Sequence, residues 1–236
     1  VLAIETATSD MRVALVDADG PLAEVAVCRQ RRHAESLHPA IETVCRESGV
    51  LLRELSAVTV DIGPGLFTGL RVGVTTAKML AVPLGLPVVT ATSLSALARW
   101  ASRVVSGAFD VLPVIDMRRG EVAWQPPGAG AGEISRGTPD ELAVELRSAR
   151  RLLLVGDGAV RYAETFRAAS LDGSVLVAGS SAGAPQASTL GELAIERLIL
   201  DSGPAELADP VLLVPLYLRE ADVAIGWESR TPVGSA

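Results

Sequence analysis

The sequence predicts an α/β protein built as two stacked halves with a cleft between them. Three observations predict it. The opening reads strand, turn, strand, turn, strand, with short apolar runs at residues 1–4, 12–17 and 22–28. Helical and strand periodicities then take turns as far as about residue 105. Finally, strands begin again at Val111 and the order of elements returns, which divides the 236 residues into lobes at 1–106 and 107–236.

Each element has a local reason. The turn Glu5-Thr6-Ala7-Thr8-Ser9-Asp10 is largely polar, and Asp19-Gly20 signals a hairpin. A helix is expected over residues 34–48, with Leu37, Ile41, Val44 and Cys45 on one face and Gly49 as its stop. Pro39 predicts either a kink or a helix start there. A strand at 57–60 leads into a glycine-rich loop and a helix reaching about Leu84, followed by a strand at 87–90 and a helix at 93–105. The second half reads as strands at 111–116 and 121–125, a loose Pro/Gly/Ala connection at 126–132 and a helix at 139–148. A strand at 151–155, Gly156-Asp157-Gly158, a short helix, a strand at 175–177 and a helix at 187–200 complete it, and residues 228–236 read as a disordered tail.

Composition removes several function classes. A net charge of −7 and a pI near 5.0 argue against a broad nucleic-acid-binding face, leaving only local patches at Arg29, Arg31 and Arg32 or at Arg118 and Arg119. Charge groups of that size are usually solvated surface. The hydrophobic content of 49% is high, but charges interrupt every apolar run before it reaches membrane-spanning length. Val1 opens a core strand, so no signal peptide is expected. Cys28 and Cys45 lack metal-ligand spacing and read as reduced thiols of a cytoplasmic protein.

The segment Asp61-Ile62-Gly63-Pro64-Gly65-Leu66-Phe67-Thr68-Gly69-Leu70-Arg71-Val72-Gly73 is the most informative. Gly63 and Gly65 can take positive φ and bring bare backbone close to a ligand. Pro64 stiffens the loop, and Thr68 is expected to cap the helix that follows, leaving N–H groups for an anion. The nucleotide-binding candidates are therefore Gly63, Gly65, Thr68 and Gly69, with Thr6, Thr8 and Ser9 opposite. The loop lacks the Gly-Lys-Ser/Thr of a Walker A motif, and a plain strand–helix corner is the competing reading. Beyond the loop, Gly69, Gly73, Ala77 and Ala81 fall four apart and form a ridge of small residues. The other faces carry Leu70, Val72, Val74, Met79, Leu80 and Val82, with only Arg71 and Lys78 charged. A helix apolar all round is covered all round, here by the same chain or by a second subunit.

Four stretches together resemble the TsaB (YeaZ) family, a subunit of the bacterial machinery for the tRNA modification N6-threonylcarbamoyladenosine. They are residues 1–8, the glycine loop at 63–73, Ile115-Asp116-Met117-Arg118-Arg119-Gly120-Glu121-Val122, and Pro215-Leu216-Tyr217-Leu218-Arg219. The resemblance implies the actin/Hsp70/sugar-kinase fold and a non-catalytic role, in which the chain binds and activates the transferase TsaD, with the ATPase TsaE in a ternary complex. It implies a homodimer when the chain is alone, indirect contact with tRNA and no membrane. No cofactor is expected to be tightly bound, with ATP or ADP and Mg at the complex interface. The first-lobe helices would form the partner face, through Leu37, Ile41, Gly69, Arg71, Gly73, Ala77, Lys78 and Ala81.

Catalytic silence follows from the same comparison. TsaD holds its metal with a His-x-x-x-His pair where this chain reads Thr92-Ser93-Leu94-Ser95-Ala96-Leu97. The two histidines, His33 and His38, are five apart, do not share a helix face, and read as surface or helix-start residues, so no metal site is expected. Leu66 replaces a serine usual in the family, Glu5 an aspartate, and Ala123 a tyrosine. The alternative function is a small-molecule kinase of the same fold with Asp116 as base. A peptidase is the least supported reading, because the chain has no His-Glu-x-x-His.

Overall fold

The computed structural model describes residues 1–28, 32–105, 107–128, 133–148, 151–170, 173–200 and 208–218. Arg29, Arg31, residues 129–132, Arg219 and the expected tail at 228–236 lie outside the described residues.

The first lobe starts as an antiparallel meander of β1 (Leu2–Glu5), β2 (Met11–Asp17) and β3 (Gly20–Val27). The buried β1 also runs parallel to β4 (Val58–Asp61), and β4 runs parallel to β5 (Val88–Ala91). The sheet order is β3-β2-β1-β4-β5. One face carries α1 (His33–Ser48) and α2 (Phe67–Leu84), whose Leu37, Ile41, Val44, Val74 and Ala77 join Leu2, Ile4, Val58 and Val60 in one core. Pro39 neither starts α1 nor ends it: the helix runs from His33 through Pro39, with Leu37, Ala40, Ile41 and Val44 buried on either side of it. Packing of that apolar face outweighs the one backbone bond the proline withholds.

The second lobe repeats the plan with β6 (Asp110–Arg118), β7 (Glu121–Trp124), β8 (Ser135–Gly137), β9 (Leu152–Val155) and β10 (Val175–Val177), in the order β10-β9-β6-β7-β8. Counted within each lobe, this is the same order of strands. β8 was not expected, since Ser135-Arg136-Gly137 carries no apolar residue and sits at the sheet edge. α4 (Pro139–Leu146) opens with a capping box: Thr138 Oγ1 accepts from Glu141 N at 3.2 Å, and Glu141 Oε2 accepts from Thr138 N at 2.7 Å. With α6 (Ala163–Ala169), whose Phe166 is fully buried, α4 covers one face of this sheet.

Two helices cross between the lobes. α3 (Ser93–Val105) follows the first sheet in sequence, but its Leu94, Leu97 and Ala101 pack with Ile115 and Val155 of the second. α7 (Ala187–Leu200) follows the second sheet, but its Ala187 and Leu190 pack with Ala3, Ala14 and Val16 of the first. Ion pairs Arg99–Glu196 and Arg103–Glu192 join the two helices. Between β9 and α6, the short helix α5 (Asp157–Arg161) packs on β6. Two duplicated mixed sheets with helices between and around them form the two-lobed actin/Hsp70/sugar-kinase-like architecture expected from the sequence. No helix among the described residues is long and apolar enough to cross a membrane.

Candidate functional site

The ends of β1 and β4 bring two carboxyl groups together. Parallel register pairs Ile4 with Val60, so Glu5 and Asp61, the next residues, end adjacent strands side by side. Both are fully buried. Each turns one oxygen back on its own loop: Glu5 Oε1 accepts from Ala7 N at 2.7 Å, and Asp61 Oδ1 accepts from Gly63 N at 2.6 Å. Ser93, the first residue of α3, donates its hydroxyl to Asp61 Oδ1 at 3.0 Å. Burial, reinforced by the neighbouring Asp61, pushes the Glu5 carboxyl well above its ordinary range, and burial raises Asp61 as well.

The turn after β1 and the glycine loop were expected to grip a phosphate from opposite sides. They lie against each other instead. Leu66 N donates to Ala7 O at 2.6 Å. A methyl group on Gly65 would overlap the Ala7 carbonyl and stand 2.7 Å from Ala7 Cβ. On Gly69 it would overlap the Thr6 carbonyl, and on Gly73 the Thr6 hydroxyl. The glycines therefore admit the chain's own turn, whose Thr6 and Ala7 fill the space their side chains would take. Gly63 has the expected positive φ of 108°, but Gly65 has none. Thr68 is not the helix cap: Leu66 holds that position with an extended backbone and no side-chain bond, and Thr68 is exposed in the first turn of α2. Thr8 is buried, its Oγ1 accepting from Asp10 N at 3.2 Å, and Ser9 is half-buried.

His33 is a helix-start residue, as expected, but it is buried rather than on the surface. It is 7% exposed at the start of α1, and its Nε2 lies 3.0 Å from Thr8 O and 3.2 Å from Asp10 O. It thus fastens the turn after β1 to the first helix. His38 is exposed and pairs with Glu42 at 3.2 Å. Among the described residues no group of three His, Cys, Asp or Glu side chains could hold a metal. Cys28 and Cys45 are unbridged.

The second lobe has its own pair of acids, Asp116 near the end of β6 and Asp157 at the start of α5. Asp116 Oδ1 accepts from Arg118 N at 2.9 Å, and its Oδ2 lies 2.6 Å from Arg118 Nη1 and 3.3 Å from Arg161 Nη1. Asp157 Oδ1 accepts from Asp116 N at 2.9 Å, and burial pushes the Asp157 carboxyl up to about 7. Asp116, the base of the kinase alternative, is therefore held between two guanidinium groups.

The predicted partner residues separate into two groups. Leu37, Ile41, Gly69, Gly73, Ala77 and Ala81 are all buried within the chain, so the small ridge faces inward. Arg71 is exposed on a different ridge of α2, where Phe67, Arg71, Thr75 and Met79 recur every four residues, and the half-buried Lys78 lies beside that ridge. Sequence reasoning missed that ridge, although Phe67 and Met79 were its signal. The segment at 208–218 runs beside it. Arg71 Nε donates to Tyr217 Oη at 3.2 Å and the guanidinium lies 4.1 Å from the Phe67 ring centroid. The Phe67 and Tyr217 rings are 5.2 Å apart, and Lys78 Nζ donates to Val211 O at 3.0 Å. Met79, Val82, Val211, Leu212 and Val214 remain exposed, Met79 by 71%. Such a run of apolar groups marks a contact surface rather than scattered surface residues.

Comparison with known proteins places this geometry in a family. The family of tRNA N6-adenosine threonylcarbamoyltransferases (TsaD) matches residues 25–227. The chain is 28% identical to the tRNA threonylcarbamoyladenosine biosynthesis protein TsaB of Bacillus subtilis, over 96% of this chain and 97% of that protein. It is 37% identical to the Escherichia coli protein of the same name, over 52% of this chain and 53% of the relative, so that match spans about half of each. YeaZ from Pseudomonas aeruginosa superposes with a TM-score of 0.75 at 29% identity, covering 92% of this chain and 98% of that one.

Proposed function

We propose that this chain, which belongs to the TsaB (YeaZ) branch of the tRNA N6-adenosine threonylcarbamoyltransferase family, is a non-catalytic subunit that binds a TsaD transferase and supports its reaction. A role in tRNA threonylcarbamoyladenosine biosynthesis follows from the family. The finer reading rests on one observation: the exposed apolar ridge of α2, continued by Val211, Leu212, Val214 and Tyr217. TsaD docks there, with Met79 and Phe67 entering its surface and Arg71 and Lys78 at the rim. TsaE joins the pair, and tRNA is held mainly by the other subunits, in keeping with the net charge of −7. In the absence of TsaD the same ridge pairs two copies of the chain. The subunit works in the cytoplasm.

The contact between Gly65 and Ala7 argues against a nucleotide held between the two first-lobe loops. ATP or ADP with Mg then belongs to the interface of the assembled complex. The ion pairs on Asp116 tell against the kinase alternative.

Complementation tests the proposal. A bacterium depleted of its own TsaB receives this chain with its cognate TsaD, and threonylcarbamoyladenosine is quantified in digested tRNA by mass spectrometry. Restoration is expected with wild type and not with Met79→Asp. Absence of both restoration and TsaD binding with a folded wild-type chain rejects the reading.

A further inference from the structure

We propose that Glu5 and Asp61 share a single proton and so form a latch that holds the turn after β1 closed on the glycine loop. The geometry requires something of this kind. Both carboxyl groups are fully buried at the ends of neighbouring strands. One oxygen of each is occupied by a loop amide, Ala7 N on Glu5 and Gly63 N on Asp61. The second oxygens, Glu5 Oε2 and Asp61 Oδ2, have no donor among the described residues. Two buried carboxylates facing each other without a donor would be strongly unfavourable. One proton between them supplies the missing donor, removes one of the two charges and leaves a short, charge-assisted hydrogen bond.

The second lobe shows the contrast. Asp116, on the first strand of that lobe as Glu5 is on the first strand of its own, likewise accepts the amide two residues on, but it is neutralised by Arg118 and Arg161. Around Glu5 and Asp61 the charged and titratable groups are few. Arg12 of β2 stands opposite Glu5 in the sheet, and its charge favours the ionised Glu5 against the larger effect of burial. Its Nη1 donates to Gln186 at 3.0 Å, its Nη2 lies 3.8 Å from Asp10, and it supplies no donor to the second oxygen of Glu5. His33 of α1 faces the carbonyls of Thr8 and Asp10, and α3 contributes the neutral Ser93 hydroxyl. The charged side chains of α2, Arg71 and Lys78, point to the outer ridge. A proton takes the role that arginines fill in the other lobe.

The latch sits where the ends of β1 and β4 lead into the two loops. Through Ala7 and Gly63 it anchors both loops, and Leu66 N to Ala7 O closes them on each other. When the loops part, both carboxyl groups meet water and ionise at ordinary values. The closed state therefore holds one more proton than the open state. Its advantage is complete below the ordinary carboxylate range, near pH ~4. It falls about tenfold per pH unit as pH rises from there to the raised value at which the closed pair ionises, and is constant beyond.

Two measurements on the full chain test this. In protein labelled with 13C at the Glu side-chain carboxyl, the Glu5 resonance should hold its protonated position well beyond the pH at which an exposed glutamate ionises. Hydrogen exchange, corrected for the intrinsic rate, should show protection of Ala7, Gly63 and Leu66 amides falling about tenfold per pH unit across the window. Glu5→Gln supplies a permanent donor and should make that protection independent of pH; Asp61→Asn serves if the first variant does not fold. A Glu5 resonance that titrates with the exposed glutamates, or the same pH dependence in wild type and variant, overturns the proposal.

Discussion

At the scale of single residues, glycine spacing records close approach but not what approaches. Gly65, Gly69 and Gly73 are needed because Ala7 and Thr6 lie where their side chains would be. A ligand would impose the same spacing, so the sequence could not distinguish the two, and the nucleotide expectation arose from that ambiguity. Gly65→Ala is expected to destabilise the fold by about 1–3 kcal/mol through overlap with the Ala7 backbone, read by denaturant unfolding. Asp157 leads to a second prediction. Its folded value of about 7 lies above the ordinary one of 3.8, so the folded state binds the proton more tightly than the unfolded state. Stability from this group is fully present below the ordinary value and shrinks as pH rises to about 7. Asp157→Asn keeps an acceptor for Asp116 N and removes the buried charge. Its melting temperature relative to wild type should rise between pH 4 and 7 and level off above.

At the scale of elements, strands and helices were legible wherever an apolar pattern set them. α3 runs from Ser93 to Val105 as the periodicity predicts, because Leu94, Leu97 and Ala101 fall on one face. The edge strand β8 was not legible, since Ser135-Arg136-Gly137 pairs with β7 only through backbone. α2 was legible as a helix but not in orientation. With apolar residues on every face, periodicity cannot say whether the small ridge or the Phe67–Met79 ridge points inward. Shape decides it: Thr6 can meet the helix closely only at glycine. The outer ridge therefore carries the docking prediction. Met79→Asp, at a side chain 71% exposed, should leave the melting temperature unchanged. It should weaken TsaD binding by about 30-fold, or roughly 2 kcal/mol, by calorimetry. Unchanged affinity would remove this ridge from the interface. The capping box of α4 gives a control away from that face: Thr138→Ala should cost about 1 kcal/mol of stability and leave TsaD binding intact.

At the scale of the whole molecule, the two sheets repeat one strand order, and the chain divides between Ala91 and Asp110 if strands alone are counted. The helices do not respect that division. A fragment of residues 1–106 would keep every strand of the first sheet and lose α7, leaving Ala3, Ala14 and Val16 exposed. It is expected to bind a hydrophobic dye and to melt without a cooperative transition, whereas the full chain unfolds as one unit. A fragment with native-like cooperativity would refute this. The crossing also sets an order of events during synthesis. Translation delivers the first sheet early, but the helix that seals its second face, at residues 187–200, is made only after the whole second sheet. Until then the nascent first lobe has one apolar face in need of a temporary cover, and a chaperone bound to that face is what a growing chain of this architecture would call for.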